Sequence, residues 1–132
     1  MTRGFYIGEG YNSLTVRDEM SFSQDTVGYW FMNTLAEMEQ VDANTIKLTR
    51  SGKTLYAQFI CEADNATAKM SIMDCVILGS EPLEGDLQAQ TGQKKIGIYF
   101  EGSGDIAITV RLSNTLGTVD KTPVSQWKNK IL

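Results

Sequence analysis

Apolar residues along this chain recur at every second position, the period of a strand with one buried face. Phe5 and Ile7 alternate with Tyr6 and Gly8, and Leu14 and Val16 with Thr15 and Arg17. In the segment 45–50, Ile46 and Leu48 point one way while Thr45, Lys47 and Thr49 point the other. Ser51-Gly52 follows as a hairpin turn. The chain then returns as Thr54 to Cys61, with Leu55, Ala57, Phe59 and Cys61 on one face. The run from Gly28 to Leu35 is so aromatic that it reads as a strand buried in the core.

The second half continues the pattern. Ala63 to Lys69 reads as a polar connection and Met70 to Leu78 as another strand. The stretch 79–93 has no clear period and holds Pro82, Gly85 and Gly92, so it reads as a loop. Lys95–Phe100 and Ile106–Leu112 are strands, and Gly102-Ser103-Gly104-Asp105 between them reads as a hairpin turn. Helical spacing is nearly absent. Thr34–Glu39 is its best candidate and is too short to stand alone. About eight or nine short strands punctuated by turns predict an all-β fold, an antiparallel β-sandwich forming a single domain over 1–132. Trp127 is expected to pack on the sandwich from a closing segment.

Composition narrows the chemistry. With 12 Lys and Arg against 16 Asp and Glu, the net charge of −4 argues against nucleic acid. No apolar run approaches the ~20 residues of a membrane span. The chain has no histidine, which removes Ser-His-Asp and Cys-His arrangements and any His-ligated metal. No catalytic residue, metal ligand or cofactor is assigned. Cys61 and Cys75 read as buried thiols, the alternative being one bridge between neighbouring strands. The acidic group Glu81, Glu84 and Asp86 reads as solvated loop charge.

Two surface chemistries stand out. Sugars stack on aromatic faces, and Tyr56 and Tyr99 lie opposite the inward faces of their strands, so they are the aromatic candidates for carbohydrate. A tyrosine also serves as acid or base where its pKa is lowered from ~10. Arg17, followed by Asp18 and Glu19 and with Arg3 nearby, reads as solvated charge at a strand end, the alternative being an Asp held by Arg at an interface with another domain, and Arg17 is the charged candidate for carbohydrate. Neighbouring strand residues point to opposite faces, so Asp18 and Glu19 are not a carboxylate pair.

Several strings resemble the C-terminal β-sandwich region of heparinase II/III-like polysaccharide lyases. They are Leu14-Thr15-Val16-Arg17-Asp18-Glu19, Tyr29-Trp30-Phe31-Met32-Asn33-Thr34-Leu35, the segment from Asn44 to Leu55, and Val124-Ser125-Gln126-Trp127. The resemblance implies a parent enzyme in which an upstream α-helical toroid and the sandwich enclose an acidic polysaccharide, cleaved by β-elimination with Tyr and His. In many members a His precedes the Thr that matches Thr34. Asn33 stands there in this chain, so no catalytic or metal role is carried over. The resemblance therefore implies a noncatalytic C-terminal fragment that braces the catalytic domain and lines the cleft. Its setting would be periplasmic, cell-surface or secreted, with any signal upstream. The residues also leave open an independent carbohydrate-binding module or an adhesive sandwich.

Overall fold

Among the described residues the alternation resolves into six strands, all in one antiparallel sheet. The computed structural model describes residues 1–75 and 93–127. The strands are β1 (Thr2–Ile7), β2 (Ser13–Thr34), β3 (Glu37–Asp42), β4 (Thr45–Arg50), β5 (Lys53–Asp74) and β6 (Lys94–Ser113). They pair in the order β1-β2-β6-β5-β4-β3. Short 3₁₀ turns occur at Glu9–Tyr11 and Val124–Gln126, and there is no α-helix among the described residues.

The strand number is lower than the sequence predicts because three strands are very long. β2 and β5 each run 22 residues and β6 runs 20. Each joins two segments that read separately in the sequence. The Gly102–Asp105 stretch is not a hairpin turn, because β6 continues through it and stays paired with β2 and β5 on both sides. Ala63–Lys69 is likewise strand, its polar residues alternating outward along β5. Thr34–Glu39 is not helical: the Thr34 hydroxyl accepts the Ala36 N–H at 3.0 Å, and β3 begins at Glu37. The Ser51-Gly52 hairpin is present, with φ of 53° and 75°, the paired positive values of a type I′ turn. The loop expected at 79–93 and the acidic group within it lie outside the described residues, Gln93 excepted.

Register irregularities fall on one line across the long strands: Phe22 to Thr26 on β2, Ala63 to Asn65 on β5, and the glycines opposite them on β6. Such bulges bend a strand and increase its twist. Gly102 has φ of 149°, and a Cβ there would lie 2.1 Å from the Asn65 carbonyl oxygen, so only glycine lets the strands approach at the bend.

The bend closes the sheet on itself. Thr34 ends β2 in a row with Lys94 and Asp74, whereas Glu37 sits in a row with Thr49, whose other neighbour is Thr54. Along a straight β5, Thr54 and Asp74 would be roughly 65 Å apart. The three-residue step from Thr34 to Glu37 spans at most about 11 Å. The ends of the sheet must therefore curl together with one face inside. That inner face carries Val16, Ile46, Phe59, Met70, Ile96, Ile98, Ile108 and Val110, none more than 6% exposed, in one continuous core. Phe22 and Phe100, on either side of the bend, stack at 6.2 Å.

The outer face is half covered. After β6 the chain recrosses the sheet as a tail. Gln58 exchanges hydrogen bonds with Gly117 at 2.9 and 3.0 Å, and Arg111 donates to the Thr115 carbonyl at 2.8 Å. The Val124 N–H donates to Glu19 at 3.1 Å. Trp127 packs against the sheet as expected, its ring 6.0 Å from Tyr6 and its indole N–H donating to the Thr122 carbonyl. A Cβ on Gly4 would lie 2.8 Å from that ring, so this glycine is the seat of the tryptophan. Cys61 and Cys75 form no disulfide. Both are half-buried, on β5 or directly after it, so the bridge between neighbouring strands is not available. Burial, and then Glu62, push the Cys61 thiol up.

Candidate functional site

Strict alternation in β2 separates its aromatics. Trp30 points inward and is buried, while Val27, Tyr29 and Phe31 point outward and are 61%, 38% and 43% exposed. The Gly28–Leu35 run is thus not buried throughout: only its even-numbered positions join the core. The odd-numbered positions lie on the half of the outer face that the described tail residues leave open.

Register assembles a strip there. Tyr29 faces Tyr99 on β6, which faces Lys69 on β5, and the next row is Phe31, Gly97 and Ser71. Asn33, Lys95 and Met73 complete it. The Tyr29 and Phe31 rings stack at 5.1 Å and 15°, and Tyr99 meets Tyr29 edge-on at 5.2 Å. The Lys95 ammonium sits 4.0 Å from the Phe31 ring centre. Lys95 is only 9% exposed, and the ion pairs among the described residues do not include it. Among the described residues no carboxylate pairs with this cation, and the Phe31 ring face takes its charge.

Tyr99, a sequence candidate, belongs to this strip. Its hydroxyl donates to Glu101 at 3.1 Å. Desolvation first, and then the Glu101 carboxylate, push the phenol above its usual range, the wrong direction for a catalytic base at neutral pH. Tyr56, the other candidate, shares the outer face but stands at the far end of the sheet, in the row of Ser113. The structure does not bring the two together.

Arg17 lies elsewhere and is not a surface group. It is 5% exposed, with its guanidinium bonded to Glu19 at 2.8 Å, Glu62 at 2.8 Å and the Thr109 hydroxyl at 2.9 Å. Burial opposes its charge, but Glu62 and Glu19 outweigh it and raise the pKa. The Arg17 hydrogen bond, against burial and with help from the Val124 N–H, lowers the Glu19 pKa. The cleft beside Arg17, about 540 Å³, is lined also by Glu19, Glu62 and Asp105, a charge balance that repels an acidic glycan. Asp18 points to the opposite face and is clasped by Arg3 through two bonds of 2.6 Å. Asp18 and Glu19 are indeed not a pair.

Sequence reasoning missed Tyr29, Phe31 and Lys95. The signal was present in the alternation of Val27, Tyr29, Phe31 and Asn33 with Gly28, Trp30, Met32 and Thr34, but the apolar richness of both sets masked it. Among the described residues, no group of three or more His, Cys, Asp or Glu side chains could hold a metal ion, and no helix is long and apolar enough to cross a membrane. Compared with known families, the chain matches no family model, and it matches no curated protein.

Proposed function

We propose that this chain is a noncatalytic β domain of a carbohydrate-active protein and that it holds a glycan along the Tyr29–Phe31–Tyr99 strip. The observation that carries this reading is a group of three aromatic rings on the outer sheet face, Tyr29 packed against both Phe31 and Tyr99, with the Lys95 ammonium over Phe31. Sugar C–H faces pack on aromatic surface, and a carboxylated or sulfated sugar would add an ionic contact to Lys95. The favoured ligand is therefore an acidic polysaccharide. The sequence strings that resemble heparinase II/III-like lyases supply a matching parent, in which the domain braces an upstream catalytic domain and lines its cleft. That parent would work in the periplasm or at the cell surface. In this reading the curled sheet acts as a two-layer sandwich, the far halves of β2, β5 and β6 lying over the near halves and β1, β3 and β4.

Calorimetric titration with alginate and heparan sulfate oligosaccharides, and with neutral glycans, tests the proposal. Binding to an acidic glycan is expected to weaken about tenfold or more in Phe31→Ala and Tyr99→Ala. Tyr56→Ala, at the far end of the sheet, should leave it unchanged. Silence across acidic and neutral glycans alike would sink the reading. The purified chain should release no unsaturated, ultraviolet-absorbing product, and robust turnover would remove the noncatalytic assignment.

A further inference from the structure

We infer that β1 is a self-complementary edge through which two copies of this chain join their sheets across a two-fold axis. The phase of β1 is set at its end, where the Gly8 N–H donates to the Ser13 carbonyl at 2.9 Å. The register Ile7 to Leu14 makes Gly8 and Ser13 directly opposite, so this is a hydrogen-bonded row of the antiparallel pair. Alternation then turns the backbone groups of Tyr6, Gly4 and Thr2 toward β2, and those of Arg3, Phe5 and Ile7 toward the open edge. No hydrogen bond among the described residues occupies that outward set.

The outward set is symmetric about Phe5. Pairing β1 antiparallel with a second β1 places Phe5 opposite the partner's Phe5 and Arg3 opposite the partner's Ile7. Every outward N–H and C=O of the three residues then has a partner. Side chains agree with this register. Phe5 and Ile7 are 65% and 54% exposed, and both lie on the side that would meet their counterparts. On the other side Gly4 comes opposite the partner's Tyr6, beside the aromatic contact that Trp127 already makes with Tyr6.

Charge singles out this edge and this occupant. The one ionised side chain of β1 is Arg3, and Asp18 already clasps it through two bonds. The other edge, β3, carries Glu37, Glu39 and Asp42 and a register irregularity between Gln40 and Asp42, the usual guards against strand addition. A β1 edge docking on β3 of another copy would build an open chain, whereas β1 on β1 closes.

Sedimentation velocity from about 1 to 500 μM tests this, since an edge of this size supports only a weak dimer. The chain should pass from monomer to dimer within that range. Phe5→Pro deletes an outward N–H that the monomer does not use, and Phe5→Lys sets like charges at the two-fold axis. Each should raise the dissociation constant at least tenfold, with the circular dichroism melt showing which variant keeps the fold. Phe31→Ala should leave the dimer intact, which separates this result from the fate of the glycan strip. A chain that stays monomeric throughout, or a dimer indifferent to Phe5→Lys in a folded variant, overturns the inference.

Discussion

The same three strands, β2, β5 and β6, build two unlike halves of the outer face. In the near half they carry Arg17, Glu19, Glu62 and Thr109, and the tail lies across them. In the far half they carry Tyr29, Phe31, Tyr99 and Lys95, and the hydrogen bonds of the described tail all fall on the near half. The usual arrangement is inverted: polar groups are covered and rings face water. Covering is tolerable in the near half because each buried polar group finds a partner, down to the Thr109 hydroxyl that bonds Arg17. Exposure in the far half has no such reason among the described residues, since rings at these positions contribute little to a core that lies on the other side of the sheet. Apolar surface that the fold does not use is where a ligand is most economically sought.

That contrast can be broken by substitution. Trp127→Ala should have the largest effect, a loss of about 3 kcal/mol in a urea denaturation midpoint analysis, because it empties the seat on Gly4 and frees the tail. A loss under ~1 kcal/mol would mean that the tail is not part of the near half. Arg17→Met comes next, at about 2 kcal/mol: it leaves Glu19 and Glu62 facing each other, but their partial exposure keeps the effect below that of a fully buried pair. Phe31→Ala in the far half should change stability by less than about 1 kcal/mol even where it abolishes binding. If Phe31→Ala destabilised as much as Trp127→Ala, the two halves would not differ in kind.

Acid sharpens the same contrast by a smaller amount. The folded pKa of Glu19 is lowered, first by Arg17. Its contribution to stability is therefore fully present above the ordinary glutamate value of about 4.3. It is lost as the pH falls through the depressed folded value. Trp127 fluorescence should report the tail loosening below that ordinary range, while Tyr29 and Phe31 keep their stacking. In Glu19→Gln the Trp127 signal should lose this acid step.

How much of this was legible depends on which residue is asked. Alternation in Ile46, Leu48, Ala57 and Phe59 gave the inner face directly, and Ser51-Gly52 gave its turn, because both signals are local. Gly102 and Gly104 misled for a physical reason: two glycines between apolar strands are the composition of a hairpin turn and also of a bulge, and only the pairing of β6 with β2 and β5 on both sides decides between them. Tyr29 and Phe31 read as core because a strand with aromatics on both faces looks buried whichever face is covered. Arg17 reads as surface because its partners Glu62 and Thr109 are far away in sequence. The strip as a whole joins residues from β2, β5 and β6, and nothing in a linear reading places Lys95 on Phe31.

The central position of β6 also fixes an order of assembly. Both of its neighbours precede it in the chain, and its closest pairing with β2 joins Thr34 to Lys94. As the polypeptide leaves the ribosome, β1 with β2 and β3 with β4 and β5 form only as separate hairpins and meanders, each with an unpaired long edge. They become one sheet only when residues 94–113 arrive to be inserted between them. Such non-local closure is slow, on the order of milliseconds to seconds. Until then, the edges of β2 and β5 are open to any other strand that reaches them first.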